Sequence, residues 1–143
     1  MLLTFLIFHD KKIVTYCKVM PLASTRLQIC QVTKLIQLVR TQERQQIQKL
    51  CQMGVPFLVN INEPNEGLTA LIIASETNDF ETVKCLLGIG AHPDVIDFKG
   101  RTAIMVAAHF GHVDSVKELL AVDADVNIKD MEGKSMLHKS YII

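Results

Sequence analysis

The sequence predicts an all-α protein: a solenoid of stacked helix–turn–helix units joined by β-turn or hairpin loops. Three observations point there. Glycines recur at Gly67, Gly100 and Gly133, each 33 residues after the last. A hydroxyl follows each glycine by two residues, at Thr69, Thr102 and Ser135. The apolar residues then keep phase: Leu71, Ile104 and Leu137; Val83 and Val116; Leu86–Leu87 and Leu119–Leu120; Ala91 and Ala124. A fixed period of this size marks a stacked repeat, in which each unit buries its apolar face only against its neighbours.

The elements follow in chain order. Residues 1–19 form a non-repeat extension. Their start, "MLLTFLIFHDKK", has no basic residue ahead of its apolar run and is too short to span a bilayer. It reads as a strand-like lead-in or as sequence outside the domain. Residues 20–63 read as a degenerate amino-terminal capping unit. Leu27, Cys30, Leu35, Leu38 and Val39 give one apolar helix face, Ile47, Leu50 and Met53 a second, and Gly54 closes the pair. The polar run Gln42, Glu43, Arg44, Gln45, Gln46 and Gln48 supplies the outer face that a terminal unit needs. Leu50 and Leu86 lie 36 residues apart, so an insertion is expected near Val59 to Glu63.

Residues 64–96 and 97–129 are the full units. In each, the glycine permits positive φ, and the threonine hydroxyl caps a short helix, expected over 70–77 and 103–110. Ala74, Ala107 and Ala108 let a neighbour approach closely. Asn78 or Gly111 ends that helix. A second helix follows, over 80–87 and 113–121, with apolar residues at i, i+3, i+4. Gly90 is placed to end it in a left-handed cap, and Asp123 takes that place in the next unit. Residues 130–143 begin a further unit with "GKSMLHKSYII" and hold only its first helix. A truncated form or a fragment is therefore expected, with Val116, Leu119 and Leu120 partly uncovered. At roughly 1.5–3 kcal/mol per buried side chain, that loss rivals the whole stability of an ordinary domain.

Composition narrows the function. The chain has 143 residues and is 49% apolar, enough for one moderate core and too much for disorder. Its 15 basic residues balance its 15 acidic ones, so no overall field draws nucleic acid or an anionic membrane. Cys17, Cys30, Cys51 and Cys85 show no zinc-ligand spacing and read as free, mostly buried thiols of an intracellular, cytoplasmic protein.

"DADVNIKDMEGK" puts Asp123, Asp125 and Asn127 at calcium-loop positions, but Ile128 stands where glycine is needed and Lys134 where a bidentate glutamate is needed. His109 and His112 are separated by Gly111 and do not share a helix face, so His112 is expected to bond the backbone of the adjoining inter-repeat turn. No nucleophile motif, phosphate loop or dinucleotide fingerprint occurs. The expectation is a non-enzymatic protein with no cofactor and no metal.

"GRTAIMVAAHFGHVDSVKELLAVDADVNIKD" resembles the ankyrin repeat over nearly the whole repeat length. It departs at Ala70 and Ala103, where proline is usual, and at Met105, where histidine is. "GAHPDV" and "NEPNEGLTALIIASETND" resemble, more narrowly, the amino-terminal part of ankyrin repeat and EF-hand domain-containing proteins, with a family-like start at Met20. The resemblance implies a monomeric module that binds another protein, without nucleic acid or stable membrane insertion. The alternative is a short form with low intrinsic stability and no independent function. The binding face it implies is concave, made by turn tips and first-helix edges. The tips are Asn65, Glu66 and Leu68; Phe98, Lys99 and Arg101; and Met131, Glu132 and Lys134. The edges are Glu76, Thr77, His109 and Phe110. Phe98 and Phe110 are the candidate anchors, unless Phe110 tucks inward and leaves Phe98 alone. "LLAVDADVN" also resembles the sites of an asparaginyl hydroxylase, which makes Asn127 a candidate for modification; its alternative role is to hold the turn by hydrogen bonds from its side chain.

Overall fold

Short, capped helices with one apolar side must pair before they are stable, and the computed structural model shows how they do. It describes residues 25–53 and 59–139. The predicted extension 1–19, Met20, Cys17 and Gly54 lie outside those residues. The helices are α1 (Thr25–Arg40), α2 (Arg44–Met53), α3 (Ala70–Glu76), α4 (Phe80–Gly88), α5 (Ala103–His109), α6 (Val113–Ala121) and α7 (Met136–Lys139). No strand occurs among the described residues.

The local rules hold at the helix starts. Thr69 Oγ1 accepts from the Ile72 N–H at 3.3 Å, and Thr102 Oγ1 from the Met105 N–H at 3.5 Å. Both first helices end one residue sooner than predicted. Thr77 and Phe110 are their C-caps, and the chain then turns left-handed at Asn78 (φ 57°) and Gly111 (φ 73°). The second helices end as the sequence implies, at left-handed Gly90 (φ 100°) and Asp123 (φ 58°).

Packing arranges the helices in two rows. α1, α3, α5 and α7 touch in sequence to form one row, and α2, α4 and α6 form the other. The first row is the centre of the core. Every residue from Ala70 to Ser75 and from Ala103 to Ala108 is buried. Ala74, Ala107 and Ala108 are completely covered, which small side chains at a close helix contact achieve without overlap. From the other row Val83, Leu86 and Leu119 complete this core, and Val32, Leu38 and Val39 carry it into the first unit.

Several expectations are corrected. Cys30 is exposed, not on the buried face, while its neighbour Gln31 is buried. Val116 and Leu119 are buried, and only Leu120 of that trio is left open, at 44% exposure. The reason is that α6 packs on both α5 and α4, while α7 packs on α5 at the end of the first row. Leu137 keeps the repeat phase of Leu71 and Ile104 yet is exposed.

The turns contain a device the sequence reading missed. Glu63, Asp97 and Asp130 are buried acids at the base of each turn. Asp97 Oδ1 accepts from the backbone N–H groups of Lys99 (2.9 Å) and Arg101 (2.8 Å). Asp130 Oδ1 accepts from those of Glu132 and Lys134, both at 2.9 Å. Glu63, one methylene longer, accepts from Asn65, Glu66 and Leu68. Burial pushes the Glu63 carboxyl up, but these amides together hold it below its usual value. Neighbouring turns are then tied to each other: the Phe98 N–H donates to the Glu66 carbonyl and the Met131 N–H to the Lys99 carbonyl, each at 3.0 Å. This approach is why Gly67 is glycine. A Cβ there, at φ 72°, would lie 2.8 Å from the Phe98 nitrogen.

Candidate partner-binding surface

Because the turns are pinned from inside by buried acids, most tip side chains stay outside the core, although one edge of the Phe98 ring lies against Gly67. Phe98 (58% exposed) and Met131 (79%) are equivalent residues of successive tips and both stand open. Asn65, Glu66, Lys99, Glu132 and Lys134 are exposed beside them. Lys134 Nζ and Glu132 Oε2 pair at 2.9 Å.

Two predicted tip residues have other duties. Leu68 is 3% exposed and belongs to the core, unlike Arg101 and Lys134 at the equivalent positions. Arg101 binds Asp97 through Nε and Nη2, both at 2.8 Å from Oδ2. Its guanidinium neutralises the buried acid and closes the turn.

Between the tips and the ends of the first helices lies a cleft of about 430 Å³. It is lined by Arg40, Glu66, Leu68, Ile73, Glu76, Thr77, Lys99 and Arg101. Six of the thirteen predicted surface residues therefore meet in one place, with Leu68 as floor. Arg40, at the end of α1, was missed. It also lines a second depression of about 270 Å³ with Thr33, Ile36, Gln37, Glu63 and Asn65. The signal was available, since Arg40 ends the first helix of its unit as Glu76 and His109 end theirs.

The remaining edge residues form a separate aromatic cluster. His109 meets Phe110 edge-on at 5.0 Å, and Phe110 stacks on His112 at 5.9 Å. Phe110 is thus packed on one side and still 49% exposed. His112 does bond backbone, but not that of an inter-repeat turn: its Nδ1–H donates to the Ser75 carbonyl in the last turn of α3, at 2.8 Å. A carbonyl only accepts, so the proton sits on Nδ1.

Asn127 differs from its counterparts. Asn60 holds the next unit through the His92 N–H (2.6 Å) and the Gly90 carbonyl (2.9 Å), and Asp94 accepts from the Asp125 N–H at 2.8 Å. At Asn127 the turn is held instead by Asp125 Oδ1, which accepts from the Asn127 N–H at 2.8 Å. The Asn127 side chain makes no hydrogen bond among the described residues, contrary to the turn-holding role.

No group of three His, Cys, Asp or Glu side chains among the described residues is placed to hold a metal ion. No described helix is long and apolar enough to cross a membrane.

Known proteins share this arrangement. The family model described as "Ankyrin repeats (3 copies)" matches residues 32–139. Among solved structures, the chain is similar to the ankyrin repeat domain of Bcl-3, described as a unique member of the IkappaB protein family. The identity is 25% and the TM-score 0.67, over 75% of this chain and 46% of that one. The chain therefore spans about half the length of that domain.

Proposed function

The chain belongs to the ankyrin-repeat family, and we propose that it acts as a monomeric, non-catalytic, intracellular module that binds another protein through its tip-and-cleft face. The single observation that carries this reading is a division of labour. Packing residues fill the helix rows, buried acids hold the turns, and Phe98, Lys99, Met131, Glu66 and Glu76 are exposed outside the core, Phe98 with one edge of its ring against Gly67. An exposed aromatic beside an exposed cation suits a binding hot spot. Asn65, Thr77, His109, Phe110, Glu132 and Lys134 extend the face. Asn127, with its amide open to solvent, is a candidate for hydroxylation, which mass spectrometry of the cellular protein would detect or dismiss.

The likeness of "GAHPDV" and "NEPNEGLTALIIASETND" to ankyrin and EF-hand proteins supports a finer reading: the chain corresponds to the amino-terminal part of such a protein. A calcium loop encoded downstream in the same transcript would bear this out, and a transcript without one would remove it.

The face is tested by affinity capture from cytosol with the full chain and with Phe98→Ala/Lys99→Glu. Arg101 is left alone, because changing it would release Asp97 and disturb the turn. Captured partners should fall by at least roughly tenfold with the variant. Equal recovery by both proteins sinks the assignment.

A further inference from the structure

The charges of the cleft are banded by unit. The first unit contributes Arg40, at the end of α1. The second contributes Glu66 from its turn and Glu76 from the end of α3. The third contributes Lys99, and also Arg101, whose charge Asp97 already neutralises. The sequence across the stack is therefore basic, doubly acidic, basic. None of Arg40, Glu66, Glu76 and Lys99 has an ion-pair partner among the described residues. Opposite charges facing one cleft without meeting leave room for a guest to pair with each.

We propose that the partner presents an extended segment with the pattern acid–x–x–base–x–x–acid, laid along the stack with its central Lys or Arg between Glu66 and Glu76. This deepens the binding face proposed above and rests on it. The spacing follows from geometry. Packed helices stand about 8–10 Å apart, and an extended chain advances about 3.3 Å per residue, so three residues carry it from one unit to the next. Two carboxylates from one unit clamp the central base; Arg40 and Lys99 take the flanking acids. Because the charges cancel, recognition depends on register and not on net charge: a polyacidic or polybasic segment meets one repulsive charge for each attractive one.

The test uses the full chain, immobilised and panned with a phage-displayed library of random twelve-residue peptides. The wild-type protein should enrich acid–x–x–base–x–x–acid. Glu66→Lys/Glu76→Lys should weaken those peptides by roughly tenfold or more and select an acid at the centre. Lys99→Glu should instead change one flanking acid to a base. All three substitutions are on exposed side chains, and an unchanged thermal melt confirms that each variant folds. Peptides that lose binding to the variants but carry another pattern overturn this inference and leave the binding face standing. Peptides indifferent to the variants, or no enrichment at all, overturn both.

Discussion

Asp79 and His112 stand 33 residues apart, at the same place in successive units, and each immediately precedes a second helix. They solve the same problem in opposite directions. Asp79 works mainly on its own helix start. Its Oδ1 accepts from the Thr82 N–H at 3.4 Å, its Oδ2 from the Thr82 hydroxyl at 2.6 Å, and Arg44 approaches to 3.5 Å. His112 reaches back to the preceding unit, to the Ser75 carbonyl. It gives α6 no side-chain cap, and it leaves the hydroxyl of Ser115, the counterpart of Thr82, buried without a partner among the described residues. One residue type stabilises a helix; the other couples two units. In a linear stack these are separate quantities, since stability is the sum of unit terms and interface terms.

Cutting the coupling should have the larger effect. His112→Ala removes the tie to Ser75 and the ring beneath Phe110, an expected loss of about 2 kcal/mol. The denaturation curve should also become less steep, because the units come apart in two stages. Urea unfolding followed by circular dichroism checks both, and a full-slope transition would mean that His112 is not the coupling residue. His112→Asp sharpens the point: it should restore a cap at α6 while keeping the shallow slope. Asp79→Ala should cost less, about 1 kcal/mol, with the slope unchanged. The methyl group gives up the cap, but it also ends the burial of a carboxylate whose charged partner among the described residues, Arg44, is largely in solvent.

How much of this the sequence disclosed depends on whether a feature repeats. The period of the glycines, the hydroxyl caps and the apolar phase placed α3 to α6 to within a residue, because the same physics acts at each repetition. The cleft was half legible. The family resemblance together with repeat phase places Glu66, Glu76, Thr77, Lys99 and Arg101 on the binding face, but neither says which way a side chain turns. Leu68, a tip residue by phase, is core; Arg101, another, is bound to Asp97. The buried acids at Glu63, Asp97 and Asp130 were overlooked although Asp97 and Asp130 each sit three residues before a turn glycine. A charged residue in a polar loop looks solvated until its amide partners are placed around it. Arg40 escaped for another reason. It stands 36 residues before Glu76, the offset that also separates Leu50 from Leu86, but across that offset only apolar positions and the closing glycine were matched.

The smallest effect is the most discriminating, because its sign changes between the two units. Thr82 and Ser115 are both buried hydroxyls in the first turn of a second helix. Thr82 donates to Asp79, so Thr82→Ala should destabilise, by about 1 kcal/mol. Ser115 has no partner among the described residues, since His112 has turned away from it. Ser115→Ala removes a desolvated hydroxyl and adds helix propensity, and should therefore stabilise by roughly 0.5 kcal/mol. The two values come from parallel urea melts. In the His112→Asp background the sign at Ser115 should reverse, as the new carboxylate gives the hydroxyl its acceptor. If Ser115→Ala destabilises the wild-type chain as Thr82→Ala does, then the serine already has a partner, and the two helix starts differ less than their geometry implies.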